Sequence, residues 1–516
     1  MTTHTVSVAA DPIDLARPLR VADLRRAATE VTVEITAEVR DRVRRSRDHL
    51  RAVLGDDRQV YGATTGFGAL VGFAGRDDDA DQCDNTLAHL GAGQGPDIDP
   101  EVVRAAMLVR VWSLGQGTSG VSPRVVEGLA AMFGTTFVPA MPRLGSVGAS
   151  GDLIPLAYAT QSLRGRGWAC LAGDRMPAAE ALAGAGLTPL LLDGRDALAL
   201  VNGTSLTTAA TALALDDIRR AHRAAQLLSC LLVDVLGCDP GQFLHPRLLA
   251  AYGHPGAVDV GARMRECLVG AVPSGGRPLQ EAYSIRCTPQ LLGAAEDALR
   301  YVDGVVESDL RSVSDNPLFF PDDDLVLHGG NFFGQPAAFA ADLLATVAAQ
   351  LGNLVERQLD LLVDPARNGG LPPMLAAGPG RQHGLQGAQL AATAMVAEIR
   401  RQATPAGMQS LPTNLHNQDV VPFGTQAALR AVDQARLLRL ICGTLAVGLR
   451  QAVHVGARTP TAPACLAVLE RLAETVPAID PDRPLDDDVR RAADLLDLLT
   501  GAPHWAASAA TTGFDG

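Results

Sequence analysis

Helical periodicity sustained over stretches longer than an average helix is what most restricts the fold of this chain. From about Ala199, apolar residues recur at helical spacing through Thr207–Leu236, where Leu213, Ile218, Ala221, Ala225 and Leu228 share a stripe. Similar patterns fill Leu291–Val305, Ala338–Leu362, Gly387–Gln402 and Ala427–Val455, with Pro405 and Pro422 as boundaries. Several exceed the usual three turns, and long stripes of this kind are buried by packing helix on helix. The spacing predicts a mainly α fold, a bundle of long antiparallel or parallel helices. The first 200 residues differ. An Arg-rich surface helix is expected over Ala37–Leu54, but Tyr61–Ala74 and Pro139–Gly151 are glycine-punctuated loops and Leu190–Leu192 reads as a short strand. The chain thus divides into a smaller mixed region over 1–200 that carries the candidate site loops, a long-helix bundle over 201–456, and a C-terminal helical region over 457–516. In the last of these, Leu485–Leu499 opens on three Asp, which suits the helix dipole.

Composition then removes whole classes of function. The chain has no lysine: all 44 basic residues are arginine. Pyridoxal phosphate chemistry needs a lysine amine and is excluded, as is a Walker A loop. A net charge of −13 argues against a nucleic acid partner. The eight cysteines form no C-x-x-C pair and sit in apolar or helical stretches, which reads as buried thiols in a reducing cytosol, with neither a disulfide frame nor a metal site. Met1–Arg20 carries Asp11 and Asp14 and has no apolar centre, so it is read as neither signal peptide nor anchor. The apolar stretch Phe332–Val355 is broken by Gln335, Pro336, Asp342 and Gln350 and is not expected to span a membrane. The expectation is a soluble cytoplasmic protein.

Four segments look unlike scaffold. In Gly145–Asp152, Ser150 or Asp152 could cap a helix starting near Leu153, or the backbone could form an anion nest. A sharper chemistry is open to Ala149-Ser150-Gly151. Glycine lacks a Cβ, so its nitrogen can approach the alanine carbonyl carbon, and ring closure with loss of water would give an electrophilic methylidene imidazolone. In Tyr61–Gly68, three glycines surround a phenol that is either packed in a surface turn or, with a lowered pKa, a general base. In Gln280–Gln290, Tyr283 and Arg286 would share a helix face, as a carboxylate clamp or as an Arg stacked on a Tyr. Asn414–Asp419, with Asn202 as an outlying partner, is dense in amides that satisfy buried backbone or line a polar pocket.

Taken together and in order, these segments resemble the aromatic amino acid ammonia-lyase family, which includes histidine, phenylalanine and tyrosine ammonia-lyases and related aminomutases. The resemblance runs from about Asp14 to Leu499 and includes Ala197–Thr204, Asp315-Asn316-Pro317 and His328–Phe332. It implies that Ala149, Ser150 and Gly151 form 4-methylidene-imidazol-5-one, with no external cofactor and no metal. It further implies that Tyr61 removes a β-proton, that Arg286 holds the substrate carboxylate, and that Asn202 and Tyr283 complete the polar shell. Gly68, His89, Leu90, Leu153, Gln280, Asn316, Phe332, Asn414 and Gln418 match positions lining the substrate site. The family is homotetrameric, with active sites shared between chains.

The resemblance also bears on the substrate, a small aromatic amino acid. The pair His89-Leu90 is His-Leu in tyrosine lyases, Phe-Leu in many phenylalanine lyases and Ser-His in histidine lyases. An imidazole can hydrogen-bond a phenol hydroxyl where a phenyl ring cannot, although a helix histidine satisfied by its own backbone has the same sequence. Asn414 and Gln418 resemble the tyrosine type, whereas histidine lyases carry a Glu in this region. Departures from the family pattern are Gln82-Cys83, Asp309, Arg311 and Leu385-Gln386. The expected activity is release of ammonia and p-coumarate from L-tyrosine. Alternatives are a tyrosine 2,3-aminomutase giving β-tyrosine and a phenylalanine ammonia-lyase. A non-catalytic helical scaffold would be marked by a broken triad or a missing tyrosine, and both are intact.

Overall fold

The computed structural model describes residues 11–56, 58–75 and 78–501. Residues 1–10 of the segment read as lacking a signal, and 502–516 of the C-terminal region, lie outside the described residues. The fold is mainly α, as the periodicity predicts. The long helices are Ser205–Leu236, Thr288–Asp309, Gln335–Val363, Gln386–Gln402 and Gly424–His454, each within a few residues of its apolar stripe. The Ser205–Leu236 helix is buried on nearly every side, so even its polar residues need partners. Asp234 accepts the Thr461 and Ala462 amides at 2.9 and 2.8 Å, and His222 meets the Leu292 carbonyl at 2.8 Å. Burial pushes the His222 imidazole down to about 4, so it is neutral at pH 7.

The chain folds into two compact units, each discontinuous in sequence. One comprises Met1–Leu213, Gly304–Ala341 and Pro405–Leu429; the other Ala214–Asp303, Asp342–Thr404 and Arg430–Gly516. All strands among the described residues lie in the first unit, and all are short. Ile13–Asp14 pairs in parallel with Val33–Glu34. Antiparallel pairs join Gln94–Asp97 to Pro142–Leu144 and Leu318–Phe320 to Leu325–Leu327. Val138–Pro139, Trp168–Leu171 and Asp174–Pro177 make a three-stranded sheet. Two of these strands fall inside or at the edge of the expected loop Pro139–Gly151.

Leu190–Leu192 is not a strand. Its burial alternates as in one, with Leu190 and Leu192 inside and Leu191 outside. The backbone bond there is Leu190 N–H to Leu163 O at 2.9 Å, so the segment has no ladder among the described residues and remains an extended connection. The Arg-rich helix is Ala37–Gly55, capped by Thr36 Oγ1 on the Val39 amide at 3.3 Å. Its buried Leu50 and Val53 pack with Val60 and Phe319, which anchors the chain immediately before Tyr61.

The apolar stretch that sequence reads as broken lies on Gln335–Val363. Among the described residues this is the one helix long and apolar enough to cross a membrane, and it is mostly buried within the fold, as core helices are. All eight cysteines are free thiols, six of them buried and Cys170 and Cys287 half-buried.

Candidate functional site

At Ala149–Asp152 the backbone doubles back, so that Gly151 pairs with both Gly148 and Ala149. Gly151 has φ +70°, and a Cβ there would collide with the Gly203 carbonyl, so only glycine fits. The neighbouring chain stitches the turn: Gly203 N–H donates to Ser150 O at 3.2 Å, and Asp152 N–H to Gly203 O at 2.7 Å. Ala149, Ser150 and the following Leu153 remain half-buried.

Asp152 stands before the helix Leu153–Leu163, yet its side chain does not cap that helix. It reaches instead to the start of Ser205–Leu236, accepting the Leu206 and Thr207 amides at 2.9 Å each and the Thr207 and Thr425 hydroxyls at 2.8 and 2.6 Å. Burial raises the Asp152 carboxyl above its ordinary value, and these donors oppose the rise.

A buried polar network lies next to the turn. Asn202 donates through Nδ2 to Asp315 Oδ1 at 3.1 Å and to the Asn316 carbonyl at 2.9 Å. Asp315 takes a two-pronged ion pair from Arg195 at 2.8 and 2.9 Å, with both side chains fully buried. Arg110 donates through Nη1 to the Asn202 and Ser314 carbonyls at 3.2 and 3.0 Å. Complete burial lowers its guanidinium to about 10, so it stays charged at neutral pH. Asn316 Oδ1 accepts the Gly329 amide at 2.8 Å, and Phe332 follows nearby in sequence, half-buried.

The Tyr61 loop folds onto itself. Gly68, at φ +55°, donates its amide to the Tyr61 hydroxyl oxygen at 2.8 Å, and a Cβ on Gly68 would strike the Asn414 amide. The Tyr61 amide in turn donates to His328 Nε2 at 3.2 Å. The lowered pKa that a general base requires is not found in this conformation: burial pushes the phenol above its usual value, with the Gly68 amide opposing. Tyr61 meets Phe67 edge-on at 6.1 Å, and Phe67 stacks on His89 at 6.0 Å. His89 ends the helix Asp79–His89, and its Nδ1 lies 3.1 Å from the Asn85 carbonyl one turn back. Leu90 beside it is buried.

Asn414 is in a turn with Leu415 and His416, all three at positive φ. Gln418 closes the turn, its Oε1 accepting from the Thr413 hydroxyl at 2.7 Å. These amides face solvent more than the dense polar pattern implies, and only Thr413 and Gln418 of the turn are half-buried.

In the second unit, Tyr283–Arg286 is a single helical turn. Tyr283 is 71% exposed, and the Arg286 guanidinium lies 4.8 Å from its ring centre. Arg286 Nε is buried without a hydrogen-bond partner among the described residues. Arg286 and Gln280 line a cavity of about 630 Å³ beside Arg277 and Cys287. Arg277 grips Glu281 through two bonds of 2.8 and 2.6 Å, which braces the segment before the turn.

Sequence reasoning missed the roles of Arg110, Arg195 and Asp315, the distant capping by Asp152 and the ring contacts of Phe67. Arg110 offered a signal, since it is charged within the apolar run Met107–Trp112 of a helix buried on nearly every side. Among the described residues no cluster of three or more His, Cys, Asp or Glu could hold a metal ion.

The chain resembles known proteins over most of its length. Residues 19–474 match the family model of the aromatic amino acid lyases. A histidine ammonia-lyase of Symbiobacterium thermophilum is 36% identical over 469 residues, covering 90% of this chain and 92% of that protein. A tyrosine ammonia-lyase of Cereibacter sphaeroides is 38% identical over 499 residues, covering 91% and 94%. Among solved structures, a tyrosine aminomutase of Streptomyces globisporus superposes with a TM-score of 0.89 at 32% identity, covering 97% of this chain and 100% of that one.

Proposed function

The chain belongs to the aromatic amino acid lyase family, and we propose that within it the protein deaminates L-tyrosine without oxidation, releasing p-coumarate and ammonia. The observation that carries the choice of substrate is the contact that His89 makes to the Asn85 carbonyl through Nδ1 and not Nε2. A carbonyl only accepts, so the 3.1 Å contact to Asn85 requires the proton on Nδ1. In that tautomer Nε2 is an acceptor, which a phenol hydroxyl can use and a phenyl ring cannot. The run of ring contacts from His89 through Phe67 to Tyr61 sets this acceptor on the same aromatic frame as the candidate base.

The turn at Ala149-Ser150-Gly151 suits a 4-methylidene-imidazol-5-one, because Gly151 tolerates no side chain and Gly203 pins the Ser150 carbonyl. That group, formed from the chain itself, supplies an electrophile that makes the substrate amine a good leaving group. The chain's own residues do the rest. Tyr61 takes the β-proton at its hydroxyl oxygen, where the Gly68 amide opposes the upward push that burial exerts on the phenol. Arg286 binds the carboxylate with the guanidinium that now lies on Tyr283. Asn202 holds the polar shell through Asp315 and Asn316. Gly68, Leu90, Leu153, Gln280, Asn316, Phe332, Asn414 and Gln418 line the site in this reading.

The same reading takes the protein as a cytoplasmic homotetramer. Leu279 at 83%, Tyr283 at 71% and Leu415 at 85% exposure are the kind of apolar and aromatic surface that neighbouring subunits cover. A second outcome, a 2,3-aminomutase giving β-tyrosine, is favoured by the likeness to a solved tyrosine aminomutase. The test is an ultraviolet assay with L-tyrosine, L-phenylalanine and L-histidine in turn, with mass spectrometry for β-amino acids and Ser150→Ala alongside. Growth of p-coumarate absorbance from tyrosine, lost in Ser150→Ala, is the expected result. Faster cinnamate or urocanate formation overturns the substrate, and β-tyrosine as main product overturns the lyase outcome.

A further inference from the structure

A second cavity, of about 420 Å³, lies in the first unit, and Ala149, Ser150 and Gly151 are not among the residues that line it. One wall is the end of the Asp79–His89 helix, through Leu87 and Ala88. Another is the Leu153–Leu163 helix, through Tyr158, whose hydroxyl donates to the Gly93 carbonyl at 3.3 Å. The sheet strands Trp168–Leu171 and Asp174–Pro177 supply Trp168 and Arg175, and the turn before them supplies Arg166.

The chemistry of this lining is specific. Trp168 is 48% exposed, and the Arg175 guanidinium is centred 4.6 Å from its ring. Arg175 uses Nε on Asp97 at 2.7 Å, and its two Nη groups have no partner among the described residues, which is the fork that grips a carboxylate. Arg166 uses one Nη on Asp84 at 3.2 Å and keeps its other donors. Each arginine thus has one carboxylate partner, Asp97 within the lining and Asp84 outside it, and each keeps further N–H donors. A cavity of this size takes one small ring compound, and an indole, a phenol ring and two guanidinium groups select an aromatic monoanion over a polyphosphate.

We propose that this cavity is a regulatory site for an aromatic monocarboxylate. That the natural occupant is the arylacrylate product rests on the reading above; that the cavity binds such an acid does not. Both helical walls lead to candidate site residues. Leu87 and Ala88 directly precede His89, and Tyr158 lies on the helix that begins right after Asp152. An occupant that presses on these walls shifts the selectivity pair and the turn together, so it slows turnover without competing for the substrate site.

Hydrocinnamate, an unreactive aromatic acid, is the probe. With the full-length protein, its titration quenches tryptophan fluorescence saturably, and its inhibition of turnover is mixed. Trp168→Phe removes the quench. Arg175→Ala and, independently, Arg166→Ala each weaken it by about tenfold, the loss of one charge-assisted pair. In both arginine variants turnover without the probe is unchanged and the residual inhibition becomes purely competitive. A quench that survives Trp168→Phe, or purely competitive inhibition in the unaltered protein, overturns the proposal. If none of the aromatic amino acids is turned over, the functional reading fails while the fluorescence titration still decides the cavity.

Discussion

Two short turns carry most of the proposed chemistry, and they are built in opposite ways. The turn at Ala149–Asp152 is over-determined: a left-handed glycine, two backbone bonds to Gly203 and a buried carboxylate with four donors hold it. The turn at Tyr283–Arg286 is under-determined: within the single chain its tyrosine is exposed, and its arginine lies on the tyrosine ring with no side-chain hydrogen bond among the described residues. The contrast follows the tasks proposed for each. A group that forms itself from the backbone needs its atoms held before any substrate arrives. A clamp for a diffusing carboxylate needs a guanidinium that is charged and free to turn toward it. Rigidity is concentrated where covalent chemistry is internal, and slack is left where the ligand supplies the missing partner.

Five measurements put this contrast at risk. Ser150→Ala should reduce turnover to background while leaving the urea midpoint where it is, since Gly151, Gly203 and Asp152 still make the turn. A lost midpoint would mean that the serine itself holds the fold. Asp152→Ala should cost about 3 kcal/mol of stability, because it strips a helix cap and leaves buried donors unpaired; urea unfolding reads this directly. Arg286→Gln should do the reverse, lowering kcat/KM about 100-fold through lost charge-assisted bonds while stability stays within about 0.5 kcal/mol. Equal stability losses in these two variants would erase the distinction between the turns.

Asp309, whose Oδ2 accepts from the Thr208 hydroxyl at 3.4 Å, tests the packing around the start of the same helix. Burial raises its carboxyl from 3.8 to about 6. The folded chain therefore keeps this proton longer than the unfolded chain does, and the stabilising contribution is present below about pH 4 and lost as pH rises through 6. Relative to Asp309→Asn, the unaltered protein should lose about 2 kcal/mol between those conditions and pH 7, read from urea midpoints across the range. The smallest effect is at His89. His89→Phe should shift the ratio of kcat/KM for tyrosine over phenylalanine by about tenfold toward phenylalanine, and an unchanged ratio would return His89 to a helix residue satisfied by Asn85.

The long helices were legible because a stripe repeated over many turns leaves little choice. Thr207–Leu236 and Ala427–Val455 differ from the observed Ser205–Leu236 and Gly424–His454 only at their ends. The Ala149-Ser150-Gly151 turn was legible as chemistry because glycine's missing Cβ is a local fact. What holds that turn was not, since capping is read from adjacent residues and Asp152 caps a helix that begins more than fifty residues later. The pairing of Arg195 with Asp315 spans 120 positions and leaves no local trace. The sheet around Trp168–Pro177 was missed because strands of two to four residues are too short to establish a period. Leu190–Leu192 shows the converse, an alternating pattern with no neighbour to pair with among the described residues.

The reach of Asp152 also sets a timetable for biosynthesis. Its carboxylate is gripped by Thr207 and by Thr425, the latter 273 positions further along the chain. While the ribosome is still translating the codons before Thr425, the nascent polypeptide lacks one of the groups that fix the tripeptide. The proposed ring closure therefore belongs after most of the polypeptide has been made, as a late maturation event. Absorbance from the finished ring would then serve as a permanent stamp on each molecule, marking those that have reached the native state at least once.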